Sequence, residues 1–118
     1  MGACDFKTKA RGGNAQAAFR NAVTDAQYDH GHSGYTGTIA EKDRFVLLRP
    51  PDGVSATSWP GHVMAAYAGV PALEERGLTR PQAEVATKHF RTTDDKRGPA
   101  GCVALGDGVY LFFGWASS

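Results

Sequence analysis

The chain opens with a period of two. Cys4, Phe6 and Thr8 fall on one side and Asp5, Lys7 and Lys9 on the other, which predicts a half-buried strand over residues 3–10. Arg11-Gly12-Gly13 turns the chain, and Asn14 stands where a side-chain oxygen can accept from the free amides of a first helical turn. The period then changes to that of a helix. Ala15, Ala18, Phe19, Ala22, Val23 and Ala26 make one apolar stripe, so a helix is expected from about Ala15 to Asp29, with Gly31 closing it in the left-handed conformation. From Tyr35 to Glu41 alternation returns, with β-branched residues, and a second strand is expected there. The run Phe45-Val46-Leu47-Leu48, within residues 44–49, reads as a central strand covered on both faces and ended by Pro50-Pro51-Asp52-Gly53.

Residues 50–79 carry the weakest pattern. Ser58-Trp59-Pro60 predicts a short helix to about Ala68, with Ser58 as cap and Gly69 and Pro71 as stops. Thr79 and Gln82 have capping-box spacing, so a helix should follow to about Phe90, burying Ala83, Ala86 and Phe90. Residues 91–99 are polar and read as a loop. The end is a hairpin: Cys102 to Leu105, a turn at Gly106-Asp107-Gly108, then Val109 to Trp115. Val109-Tyr110-Leu111-Phe112-Phe113 is the most hydrophobic run and belongs in the sheet interior.

The order is strand, helix, strand, strand, irregular helical region, helix, strand, strand. It predicts a single α+β domain over residues 1–118, with a mostly antiparallel sheet, helices on one face, and a ferredoxin-like split βαβ order plus an extra C-terminal strand. Phe19, Val23, Ile39, Val46, Leu48, Leu111 and Phe113 are the expected core.

Composition changes this picture little. A chain of 118 residues with 42% hydrophobic and 21% charged residues is ordinary for one globular domain. A net charge of +1 gives no push toward nucleic acid, and no apolar run approaches membrane-spanning length. The two cysteines, Cys4 and Cys102, have no metal spacing and lie in strand-like patterns. Both are expected to be buried, reduced thiols of a cytoplasmic protein.

The densest chemistry lies between residues 28 and 42. His30 and His32 follow the first helix and suit two roles: interaction with its negative end, or the first two ligands of a metal. In the second case His62, Asp29, His89 or Glu41 would have to complete the set, and His30, His32 and His62 are the metal candidates. Gly31 to Thr38 is glycine-rich with hydroxyls, but the helix precedes the loop and offers carbonyls, so a phosphate cradle of the usual strand-to-helix kind is not expected. Candidate ligand or partner contacts are His30, His32, Tyr35, Thr36, Thr38 and Glu41. Neither cysteine stands at a helix start that would activate it, and no G-x-S-x-G occurs. Tyr110, Phe112 and Phe113 could stack on bases, but the basic-glycine-aromatic signature of RNA-recognition domains is missing, so core packing is expected instead.

Gly34-Tyr35-Thr36-Gly37-Thr38-Ile39-Ala40-Glu41-Lys42, and Gly98-Pro99-Ala100-Gly101-Cys102 leading to Phe112-Phe113-Gly114-Trp115-Ala116-Ser117, together with Ala18-Phe19 and Tyr28, resemble small uncharacterised proteins encoded by bacteria and their phages. The resemblance implies a cytoplasmic, phage-borne or bacterial accessory protein, and brings no catalytic residues with it. The leading expectation is a non-enzymatic binding module for a host macromolecule, with a protein partner, no cofactor, no membrane and no nucleic acid. Two alternatives stand beside it: a small metal-dependent hydrolase centred on His30 and His32, and a nucleotide or small-ligand binder using residues 30–38.

Overall fold

The computed structural model describes residues 2–31 and 34–118. The first strand, β1, is Ala3–Arg11, and the first helix, α1, is Ala15–His30. Asn14 caps α1 as expected: its side-chain oxygen accepts from the Ala17 amide at 2.8 Å, and the Gly31 amide donates to the Gln27 carbonyl at 2.8 Å. Next come a 3₁₀ turn at Ile39–Glu41, the short strand β2 (Phe45–Leu47), α2 (Trp59–Met64), a 3₁₀ turn at Ala65–Ala68, and α3 (Val70–Glu75). The chain ends with α4 (Arg80–Thr93), β3 (Ala100–Gly106) and β4 (Val109–Ser117).

The class is α+β, with one mixed sheet in the order β1-β4-β3-β2. β4 is antiparallel to both β1 and β3, whereas β2 is parallel to β3. The ferredoxin-like order is not confirmed, because the strand expected over Tyr35–Glu41 does not form. Gly34 and Gly37 take φ of 85° and 71°, outside any pleated conformation. The Thr38 hydroxyl then accepts from the Ala40 amide at 3.2 Å and starts the 3₁₀ turn. Local side-chain bonds have replaced a ladder. Gly37 is held at the sheet's end, donating its amide to the Ser117 carbonyl at 2.7 Å.

The helices do not share one face. α1 packs on the side of the sheet that carries Phe6, Cys102, Phe112 and Ala116. α2, α3 and α4 pack on the other, over Val103, Leu111 and Phe113. The period of two in β4 sorts its side chains between two separate cores. Phe112 meets Phe19 and Phe45 on the first side, with ring centroids 5.6 and 5.7 Å away. On the second side the far end of the Phe113 ring reaches over Gly101: a Cβ there would stand 2.5 Å from Phe113 Cζ.

Three further expectations are corrected. β2 is an edge strand rather than a central one, and Leu47 is 57% exposed; the apolar run is cut to three paired residues by the prolines that follow it. Pro71 does not stop a helix but sits in the first turn of α3, where its missing N–H is not needed. α4 continues past Phe90 to Thr93, whose hydroxyl donates to the His89 carbonyl at 3.0 Å. The capping box is present, with Thr79 and Gln82 each accepting from the other's amide. Ser58 precedes α2 without capping it, its hydroxyl going instead to Ser55. The Asp107-Gly108 turn has φ of 56° and 74°, the left-handed pair that a tight hairpin requires. Of the expected core, Phe19, Ile39, Leu48, Leu111 and Phe113 are buried; Val23 and Val46 are half-buried.

The thiols divide. Cys102 is fully buried and its pKa is pushed up to about 12 by burial, whereas Cys4 is exposed, so the expectation of two buried cysteines fails at the edge strand. A thiol reagent at neutral pH should therefore modify one group rapidly and the second only in denaturant; two slow groups would contradict the placement of Cys4. A second expectation concerns Gly101. Gly101→Ala should cost about 1–3 kcal/mol in a urea titration, as overpacked cores do. Adding Phe113→Leu should bring the double variant below the sum of the single losses, because both changes act on one contact.

Candidate functional site

The loop singled out by sequence is built largely to hold itself. The Thr36 hydroxyl bonds the Glu41 carboxylate at 2.7 Å and lies 2.9 Å from the Thr38 hydroxyl; the Thr36 amide also donates to Glu41, at 3.2 Å. Thr36, Thr38 and Glu41 are thus brought together, but they satisfy one another. Tyr35 is exposed beside them, and His30 is exposed at the last turn of α1. His32 lies outside the described residues. His62 belongs to α2, in the layer across the sheet from α1, so it is not brought to His30. Among the described residues no group of three or more His, Cys, Asp or Glu side chains is placed to hold a metal ion.

Lys42 has a role the sequence did not suggest. It is 4% exposed, and its ammonium donates to the carbonyls of Asp95, Lys96 and Gly98 at 3.2, 3.1 and 2.9 Å. All three ammonium donors are used. Burial pushes its pKa below the ordinary lysine value, against the opposing pull of the Asp95 carboxylate. This cation pins the turn after α4 to the loop that follows α1.

A second polar constellation lies on the α2–α4 side. The fully buried Trp59 donates its indole N–H to His89 Nδ1 at 3.0 Å, and the two rings meet edge to face. His62 Nδ1 accepts from Arg76 Nε at 3.3 Å. Burial lowers the pKa of both histidines, with Lys88 adding to the effect at His89 and Arg76 at His62. The Lys7 ammonium and the Arg76 guanidinium both approach Gly61, within 3.7 and 3.6 Å of where its Cβ would be.

An open concavity lies elsewhere, where the end of α4 meets the start of β1 and the end of β4. It is a groove of about 500 Å³ lined by Ala3, Tyr67, Phe90, Asp94, Asp95, Lys96 and Trp115. Phe90 stands edge-on to Trp115, with centroids 5.6 Å apart and planes at 85°. Tyr67 is 77% exposed at the rim. Asp94 is the C-cap of α4 and Asp95 follows it. Asp95 Oδ1 accepts from the Arg97 amide at 2.8 Å, and the Lys96 ammonium donates to the Gly2 carbonyl at 3.3 Å. The sequence pattern buried Phe90, ended the last strand at Trp115 and made residues 91–99 a polar loop. One signal could have drawn attention to Asp94 and Asp95: two adjacent carboxylates at the negative end of a helix are electrostatically misplaced.

No family model, curated protein or solved structure matches this chain. No helix of the described residues is long and apolar enough to cross a membrane.

The Trp59–His89 bond sets an expected pH response. The indole needs an unprotonated Nδ1, and the folded pKa of His89 lies below its unfolded value of about 6.5. The unfolded chain then binds protons first as pH falls. Stability contributed here is fully present above pH ~6.5 and is lost as pH drops from there through the lowered folded pKa. Urea midpoints at pH 7.5 and 5.5 should show this fall. His89→Asn, which keeps an acceptor near the Nδ1 position without a titrating ring, should reduce the fall to the part that His62 contributes. An unchanged slope in the variant would assign the response to another group, His62 first.

Proposed function

We propose that the chain is a non-enzymatic binding module and that its docking seat is the groove between Tyr67, Phe90 and Trp115. The observation that carries this reading is the aromatic lining, with Tyr67 exposed and Phe90 and Trp115 half-buried beside it. Large aromatic side chains supply much contact area at small entropic cost, and they are the usual anchors of recognition surfaces. A volume of about 500 Å³ suits one side chain or a small ligand. The groove lies between helix end and sheet edge, on parts of the fold that are themselves packed: Trp115 on β4 and Phe90 on α4. Its chemistry is apolar with carboxylates at the rim, which suits binding better than bond-making. The loop at residues 30–38 is the less favoured seat, since Thr36, Thr38 and Glu41 already bond one another.

The resemblance to bacterial and phage accessory proteins makes a protein of a bacterial host the expected partner class. A photo-crosslinking residue in place of Tyr67 should trap a partner from bacterial lysate. The same residue in place of Tyr28, which is 91% exposed on α1, is the control. Trapping of one partner from position 67 and none from position 28 is the expected outcome. Equal trapping from both positions, or none from either, would remove the groove from the reading.

A further inference from the structure

We infer that the outer edge of β1 seats a second copy of this chain, paired antiparallel about a two-fold axis at Phe6. This goes beyond the docking reading above and does not rest on it. The first ground is the state of the edge. β1 is an outer strand of the sheet, nine residues long, and pairs with β4 alone. Gly2 and Ser118 exchange amide-to-carbonyl bonds of 3.4 and 3.2 Å, and the Gly12 amide donates to the Gly108 carbonyl at 3.0 Å. Such pairs turn the main-chain groups of the even-numbered residues toward β4, so Ala3, Asp5, Lys7 and Lys9 turn theirs outward. Among the described residues no main-chain group from elsewhere in the chain meets them, and all four residues are exposed. Asn21 covers the Arg11 carbonyl at 2.8 Å, where the free stretch ends. Proteins commonly blunt such an edge with a proline or a bulge. β1 holds no proline, and its register with β4 runs unbroken from Ala3 to Arg11.

The second ground is charge, and it selects both partner and register. Asp5, Lys7, Lys9 and Arg11 share one face of the strand, the face on which Lys7 stands toward Gly61 of α2. With three cations to one acid, this edge repels its own copy in most registers. Shifting the axis to Asp5 sets two carboxylates opposite each other. Shifting it to Lys7 opposes two lysines, and moving it further opposes Lys7 to Lys9 or Lys9 to itself. The axis at Phe6 alone avoids this among registers that pair at least three outward positions. It sets Asp5 against Lys7 of the second copy, Lys7 against its Asp5, and Lys9 against its Ala3. Opposed side chains of unlike charge stabilise a strand pair, and like charges do the reverse. The other cations stand off this ladder: Arg11 lies past the last pair, Arg76 donates to His62, and Lys96 donates to the Gly2 carbonyl. Two-fold symmetry lets one acid per chain make two ion pairs, which is the self-complementarity an isologous interface needs.

Sedimentation velocity of the full chain over a range of concentrations should show a reversible monomer–dimer equilibrium. Asp5→Lys and Lys7→Asp each place like charges opposite one another twice, and each should weaken the dimer about tenfold or more. Both changes in one chain restore unlike charges at the two positions and should recover it, which a loss caused by misfolding would not do. The register is read by a disulfide. An axis at Phe6 puts Thr8 opposite Cys4 of the second copy in a non-hydrogen-bonded pair, with Cα atoms about 4.5 Å apart and within disulfide reach. It holds the two Cys4 residues about 14 Å from each other. Under mild oxidation Thr8→Cys should therefore give a covalent dimer linked from position 4 to position 8, identified by mass spectrometry of the digest. The unaltered chain should link Cys4 to Cys4 far more slowly. A monomer at every concentration overturns the inference. So does a dimer that the single reversals leave unweakened, or a double reversal no better than either single one. Cys4-to-Cys4 links that form as fast as those to position 8 overturn the register and the charge argument with it.

Discussion

Phe112 and Phe113 are adjacent in the chain and fully buried, yet they never share a core. The pleat of β4 sends one to each side of the sheet, and each fixes a layer of helices. Everything else accommodates that division. β4 must be interior, so it pairs with β1 and β3 at once. α1 is narrow and alanine-faced because it closes over a side already filled by Phe45 and Phe112. The opposite side is thicker, and three helices with Trp59, Leu73 and Met64 are needed to cover it. Gly101 is the local price of Phe113, since no Cβ can stand beneath its ring.

The buried polar groups follow the same arrangement. Among the described residues no buried side-chain nitrogen or oxygen is left without a partner. Lys42 is held by three carbonyls, and the Trp59 indole by an imidazole. Each of these bonds ties together elements distant in sequence. A buried polar pair left incomplete costs more than the pair contributes when made, so such bonds specify an arrangement as much as they stabilise it.

The local elements were largely legible in the sequence, and the global ones were not. Asn14, the Ala18–Phe19–Ala22 stripe, the Thr79–Gln82 box and the Asp107-Gly108 turn are short-range signals, and each appears where its pattern placed it. The residues from Tyr35 to Glu41 misled because alternation and β-branched side chains are shared by strands and by hydroxyl-capped turns. Only the backbone angles of Gly34 and Gly37 separate the two. Helix placement on both faces was invisible for a different reason: a run such as Leu111-Phe112-Phe113 shows that both faces are covered but not by what. The groove was hidden because Phe90 and Trp115 carry the periodicity of core positions. Their partial exposure arises where α4 ends and β1 begins, a juxtaposition set by topology. Lys42 gave no sign of burial, since its partners are main-chain carbonyls, which every sequence supplies.

Lys42 also decides how the groove rim moves. Its ammonium comes from the loop beyond α1, yet two of its three acceptors are the carbonyls of Asp95 and Lys96, whose side chains line the groove. Opening either loop by itself would strand a buried cation or uncover its acceptors. The two loops therefore form one cooperative opening unit, although one packs with α1 and the other follows α4 on the far layer. A rim of this kind has its local unfolding free energy set partly by residues on the opposite side of the sheet. Substitutions there would alter its protection from exchange without touching the groove itself.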